Sequence, residues 1–565
     1  MRLIETRLLD GPNVYRLEPA AKLEVAIGPR RSWSGAREPA RGSLVRLAAR
    51  VPRSARPRPV GLAAGWVDRL ARLDTGGSPR VFVHRGSDPG HWIVTWRWTR
   101  ARRAELIAEA AFDLAQRGIA PSRGMAGTAA ARRVARWRRR IRAAEGAGPA
   151  WIRDADRHIP VISISGTNGK STTTRLVTRI LREAGRRVGT TTSDGVLVDE
   201  RLVEDGDWTG PGGARAVLER DDVDVAVLET ARGGLLLRGL GYESNDASIL
   251  TNVSSDHMDL QGVHTLPELA EVKATICQVT SPEGWAVLNA DDRWLVRVVP
   301  SIRARIAYFT LLGDRSRRVA RHLAAGGRAY LVRGGWIGEA NGAGWQPIVA
   351  IADVPIALGG AARHNVANAL AAAGGARALG ASIEEVARGL RSFDAGTATS
   401  PGRLNVFRRE DRVVIVDFAH NEAGLAAVLD VAEAIASARH WTLAAVVGTA
   451  GDRPDDTLRG IGRMAAKRTR RLALKETLTY LRGRSREAVL AELRAGAREG
   501  GWRGELPVYE SESGAMRGEL DRAATGEVLV VLCHTEREAL SEILAGHGFE
   551  PVVTAAALAQ LAAAD

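Results

Sequence analysis

Cysteine is nearly missing from this sequence: Cys277 and Cys533 are the only two in 565 residues. Two thiols cannot build a disulfide framework or a four-cysteine zinc site, and their scarcity agrees with a reducing compartment. No apolar run approaches the roughly 18 to 20 residues of a membrane-spanning helix, and Met1–Arg7 lacks the apolar segment of a secretory signal. The expected location is therefore the cytoplasm, with no membrane partner. Low-complexity tracts are missing too, and a composition of 45% hydrophobic and 26% charged residues is globular, with length for about three domains. Lysine is the other scarcity. Only Lys22, Lys170, Lys273, Lys467 and Lys475 occur, so 75 of the 80 basic residues are arginine. The net charge of +15 then reads first as a compositional drift toward arginine. Attraction of an acidic substrate or acidic polymer is the second reading, and sequence-directed nucleic-acid binding is not expected.

What is present centres on Val161–Thr174, VISISGTNGKSTTT. Val161, Ile162 and Ile164 form a short buried-strand pattern, a glycine turn follows, and Arg175–Glu183 reads as a helix. Strand, glycine turn, Lys-Ser and helix make a phosphate cradle. Backbone amides of Gly166, Thr167, Asn168, Gly169, Lys170 and Ser171 face a polyphosphate, Lys170 adds a point charge, and a hydroxyl of Ser171 or Thr172 can hold Mg²⁺. The loop is shorter than the generic GxxxxGK[ST] spacing, so an ordinary strand-to-helix turn is the alternative.

Before this loop, residues 1–156 carry no catalytic motif. Leu3–Leu9 reads as a strand, Arg80–Trp98 as a hairpin and Ala104–Gln116 as an amphipathic helix, and part of 28–60 is expected to be loop. Arg132–Arg142 holds seven arginines with Val134, Trp137 and Ile141 at helical spacing. That is a solvated basic face over an apolar seam, or a surface for an anionic partner. From Ile159 strands and helices alternate. Val223–Leu228, Ala247–Leu250 and Gly284–Leu288 each end in a polar cluster, the place where open α/β sheets bind ligands. Near Ser400 a second alternation begins, with polar residues after Val416, Val447, Leu474 and Leu532. No GxGxxG follows its first strand, yet the order is that of a Rossmann-like unit. The expected fold class is α/β: a smaller α+β N-terminal domain (1–156), a central P-loop-type ATP-binding domain (157–399) and a C-terminal Rossmann-like α/β domain (400–565).

Glu229 stands after an apolar strand, where a second Mg²⁺ ligand is wanted beside Ser171 or Thr172; a solvated strand end is the bland alternative. His257, next to Asp256, would serve metal or phosphate, or structure alone. No Ser-His-Asp or Cys-His arrangement and no zinc spacing is evident.

The segments GTNGKSTTTR (166–175), ETARGG (229–234), TNVSSDHMDL (251–260), LNADD (288–292), RHNVANALAA (363–372), SPGRLNVF (400–407), VDFAHNEAGL (416–425), GTAGDR (448–453) and KETLTYLRGR (475–484) together resemble the Mur ligase family. Within it they are most similar to the ligase half of the cyanophycin synthetases, whose start the opening MRLIETRLLDGPNVYRL also resembles. The resemblance implies an ATP- and Mg²⁺-dependent ligase that joins a small-molecule or peptide acid to an amino acid or related amine through an acyl phosphate. It implies Lys170 and the loop on the β- and γ-phosphates, Ser171 and Glu229 on one Mg²⁺, and His257 on a second ion with Lys273, a position carbamylated in many members. Asn365 and Asn368 would lie near the adenine, Arg403 near the γ-phosphate, and Asp417 on the ribose, with His420 and Asn421 lining the same cleft. One departure is plain: Ile159 follows the first region directly, with no room for the ATP-grasp domain that cyanophycin synthetases carry there. A folylpolyglutamate-synthetase-like ligase, a P-loop kinase or NTPase without an amine acceptor, and a silent scaffold are the alternatives; oligomerisation is left open.

Overall fold

A computed structural model describes residues 1–28, 49–121, 128–256, 258, 260–451, 453–477 and 481–563. Three sheets organise the chain. The first is antiparallel, in the order 2–9, 20–26, 91–97, 82–85, and helices Arg58–Thr75, Ala101–Gln116 and Ala129–Ala143 stand beside it. The anticipated strand, hairpin and two helices are there. Strand Ala20–Ala26 and helix Arg58–Thr75 were not foreseen, and of the expected loop, residues 29–48 lie outside the described residues. The helix spacing of Val60, Ala63, Ala64, Val67 and Leu70 buries one face, with Trp66 and Trp96 at the centre of this core.

The central sheet has eleven strands. Seven run parallel, in the order 328–333, 305–310, 280–289, 245–250, 161–165, 225–229, 188–192. Antiparallel strands extend both edges. The strands 161–165 and 225–229 are buried at every position, as parallel strands covered on both faces must be. The C-terminal sheet has the order 508–509, 471–475, 442–447, 527–532, 412–417, 405–409, 550–551, parallel except at the last two pairings. One continuous apolar core joins the two sheets, and helix Ala555–Ala562 sends Leu558 and Leu561 back into it. No described helix is long and apolar enough to cross a membrane.

The N-terminal sheet is tied to the central one by backbone pairing. The amide of Asp10 donates to the carbonyl of Arg238 (2.7 Å), and that of Leu240 to Pro12 (2.8 Å). Contact is so close that a Cβ on Gly11 would fall 1.9 Å from the Leu240 oxygen. Gly11→Ala should therefore force this junction apart, costing about 1–3 kcal/mol; an unchanged melting temperature in calorimetry would show that the junction tolerates separation.

Candidate functional site

The glycine loop leaves strand Val161–Ser165 and ends at Gly169, whose φ of 83° places it in the left-handed region as the N-cap of helix Lys170–Glu183. The helix starts five residues earlier than the sequence pattern suggested. A run of threonines argues weakly for helix by propensity, but the Gly169 turn aims the helix N-terminus at the loop and packing secures it. Two neighbours forbid side chains here. A Cβ on Gly166 would lie 1.9 Å from Thr251 Oγ1, and one on Gly169 would lie 2.3 Å from Asn368 Oδ1. The 251–254 segment clamps the loop from outside: Thr251 Oγ1 and Asn252 Nδ2 donate to the Asn168 carbonyl (2.7 and 2.9 Å), and the amides of Thr167 and Asn168 donate to Asn252 (2.9 and 3.0 Å). Lys170 Nζ donates to the Thr167 carbonyl at 2.8 Å.

Buried charge gathers behind this loop. Glu229 closes strand Val225–Glu229, is 3% exposed, and its Oε2 has no hydrogen-bond partner among the described residues. Burial raises its pKa, while the charge of Lys170 and the Ser171 hydroxyl pull the other way. Lys273, on helix Leu266–Gln278, donates to the Gly166 carbonyl at 2.6 Å. Burial first, and then the positive charge of Lys170, hold it well below the usual lysine range. His257 lies outside the described residues; Asp256 faces His420 Nε2 and Arg453 Nη1, each at 3.4 Å.

The C-terminal domain supplies the facing wall. Arg403 Nη2 comes within 3.5 Å of the hydroxyls of Ser171 and Ser193, its guanidinium lies 4.3 Å from the centroid of Phe418, and its buried Nε has no partner among the described residues. Asp417, ending strand Arg412–Asp417, accepts from the amides of Leu404 and Ala419 (2.7 Å each); desolvation pushes its pKa up against the pull of Arg403. Asn421 and Asn168 exchange side-chain amide hydrogen bonds of 3.0 and 3.2 Å across the domains. Asn365 and Asn368 come together on helix Arg363–Ala378, where Asn368 donates to Asn365 Oδ1 (3.0 Å) and accepts from Thr173 Oγ1 (3.4 Å). Asn168, Gly169, Thr172, Asn365, Asn368, Arg403 and Asp417 line one cleft of about 290 Å³.

Sequence reasoning missed two groups. Asp194 and Arg537, from different domains, meet at 2.6 Å beside Arg403, and no motif marks either. Lys475, which opens the segment KETLTYLRGR, and Cys533 and His534, which follow a strand, form with Glu512 a buried cluster under Phe418 that the sequence pattern does not join. Lys475 Nζ pairs with Glu512 and donates to His534 Nδ1 (2.7 Å), so the His534 proton sits on Nε2 and is donated to the Ala419 carbonyl (3.1 Å). Glu512 also accepts from the amides of His534, Thr535 and Glu536 (2.6, 3.0 and 2.9 Å).

A glycine-clamped loop that opens a helix at the carboxyl edge of a parallel sheet, faced by a second α/β domain, defines a P-loop-type nucleotide-binding architecture. The family is more specific. Residues 164–376 match the Mur ligase middle domain and residues 402–534 the Mur ligase, glutamate ligase domain; the chain belongs to the Mur ligase family. Cyanophycin synthetase of Trichormus variabilis is 37% identical over 388 residues, 68% of this chain and 42% of that protein. This chain therefore spans less than half the length of that relative. UDP-N-acetylmuramoyl-L-alanyl-D-glutamate–2,6-diaminopimelate ligase of Corynebacterium glutamicum is 29% identical over 69% of this chain and 73% of its own length. A solved bifunctional folylpolyglutamate synthase/dihydrofolate synthase from Yersinia pestis aligns at a TM-score of 0.49 and 18% identity, over 69% of this chain and 89% of that one.

Two stability predictions follow from the buried cluster. Burial and the Lys475 charge lower the His534 pKa from 6.5 to about 4, so the folded protein excludes a proton that the unfolded chain binds. Its contribution is complete above pH 6.5 and is lost as the pH falls toward 4, about 3 kcal/mol in full; His534→Gln should flatten the decline of denaturation midpoints over that range. Glu512→Gln leaves the Lys475 ammonium buried without its counter-charge and should cost about 3–5 kcal/mol by chemical denaturation; a loss below 1 kcal/mol would contradict the pairing.

Proposed function

We propose that this chain is an ATP- and Mg²⁺-dependent ligase that joins the carboxylate of a small-molecule or peptide acid to the amine of an amino acid or related compound. The observation that carries it is Glu229: a buried carboxylate with an oxygen unpartnered among the described residues, beside Lys170 and Ser171 and across from Arg403 of the second domain. The names of the relatives support the acid and amine classes, since one joins a glutamate-bearing precursor to 2,6-diaminopimelate.

An oxygen of Glu229 and the Ser171 hydroxyl form a hard donor pair that fits Mg²⁺. Bound there, the ion neutralises phosphate charge. The loop amides from Gly166 to Ser171 and the Lys170 ammonium would hold the β- and γ-phosphates, with Thr172 behind them. Asn365 and Asn368 would border the adenine, and Asp417 would accept from the ribose. The acid's carboxylate oxygen attacks the γ-phosphorus, the bond to the β-phosphate bridging oxygen breaks, and ADP leaves; Arg403 compensates charge on the transferred phosphoryl group. The amine then attacks the acyl carbon, and inorganic phosphate departs from the tetrahedral intermediate with loss of a proton from nitrogen. Burial and the Lys170 charge lower the Lys273 pKa, which favours the neutral amine that adds carbon dioxide; as a carbamate it would supply, with His257, oxygen and nitrogen donors for a second ion. In this arrangement residues 1–156, 157–399 and 400–565 act as three domains.

Phosphate release from ATP across a panel of acids and amines, with mass spectrometry of the products, tests this. Turnover that needs both partners is expected, and Lys170→Ala should reduce it by at least about 10³-fold. Amine-independent formation of a phosphorylated product would replace the ligase with a kinase.

A further inference from the structure

A cluster of three arginines about one carboxylate spans the two domains next to the nucleotide cleft. Asp194 lies in the turn between strands Val188–Thr192 and Gly195–Val198. It accepts from Arg175 Nη2 (3.0 Å), on the helix that follows the glycine loop, and from Arg537 Nη1 (2.6 Å), at the start of helix Arg537–Gly546 of the C-terminal domain. Arg537 and Arg403 both lie against Phe418, 5.2 and 4.3 Å from its ring centroid. The backbone before Arg403 rests on Arg537 as well: a Cβ on Gly402 would fall 3.0 Å from the Arg537 Cδ and Nε.

The charges explain why the carboxylate matters. Arg403 and Arg537 repel one another, and Asp194 is the group whose attraction for Arg403 is largest, ahead of Asp417 and Glu229. Burial alone would raise the Asp194 pKa, yet Arg537, Arg403 and Arg175 together hold it below the usual carboxylate range, so it stays ionised. Among the described residues Arg403 meanwhile makes two hydrogen-bond contacts, both of 3.5 Å: one to Ser171 after the glycine loop and one to Ser193 in the turn that carries Asp194. Those contacts alone are too long to position a guanidinium.

We propose that Asp194 is a positioning residue: its ion pair with Arg537 latches the C-terminal domain onto the central one and, through Phe418 and the Gly402 backbone, sets Arg403 at the phosphate loop. The link to catalysis rests on the ligase reading above; the latch itself does not. Asp194 touches neither nucleotide nor reacting atoms in this scheme. It acts by fixing where Arg403 stands, and a displacement of about 1 Å in such a group costs up to about 100-fold in rate.

The test uses the full chain carrying Asp194→Asn, Arg537→Gln, the pair together, and the conservative Asp194→Glu. Small-angle X-ray scattering with Mg²⁺ and AMPPNP reads domain closure, and ATP turnover with an accepted acid–amine pair reads kcat and KM. Each single variant should enlarge the radius of gyration and lower kcat about 10- to 100-fold, with KM for ATP changed less than about 3-fold because the glycine loop is intact. The double variant should be no worse than the weaker single one, and Asp194→Glu should recover part of kcat. Wild-type scattering with unchanged kcat, additive losses, or a rise in KM alone would overturn the proposal. Should Asp194→Asn fail to fold by circular dichroism, Arg537→Gln decides by the same readouts. Should the wild type ligate no pair, the ligase reading fails and scattering alone decides the latch.

Discussion

Everything in the site depends on two positions where only hydrogen fits. Gly166 and Gly169 lie so close to Thr251 and Asn368 that any side chain would collide, and this closeness brings three separate segments into register. The 251–254 segment holds the loop from one side, the 363–378 helix from the other, and the helix starting at Lys170 projects from the gap. A loop pinned in this way presents its amides without reorganisation, which is the condition for electrostatic stabilisation of a phosphoryl group in transit.

The charged residues around the loop are costly for folding. Among the described residues Lys273 is a buried amine without a carboxylate hydrogen-bonded to it, Glu229 keeps an unpartnered oxygen, and Arg403 has an unsatisfied Nε. Each is the kind of group a stability-optimised interior avoids. Their gathering around one glycine loop makes function the economical explanation, with the cost borne by a large apolar core shared between the two α/β domains. The cluster of Lys475, Glu512 and His534 differs in being fully hydrogen-bonded. It stiffens the wall behind Phe418, where a half-satisfied network would have softened it.

Much of the strand pattern was legible in advance because parallel strands buried on both faces read as apolar runs, and Val225–Glu229 and Glu527–Leu532 are such runs. Helix Arg58–Thr75 escaped notice because its arginines and glycines masked an apolar stripe, and strand Ala20–Ala26 because alanine and lysine are poor strand signals. Asp194 and Arg537 were illegible for a different reason. They are 343 residues apart in sequence, and neither belongs to a local pattern.

The sequence by itself determined the glycine loop and the order of α/β units, because both are written in local periodicity and spacing, and nine of its segments carried the resemblance to the family. Only the tertiary structure decided that the loop is sterically closed to side chains, that Lys273 is a desolvated amine on the Gly166 carbonyl, and that Asp194 gathers arginines from both domains. Those are properties of distance and burial between remote segments, and folding alone brings such segments together.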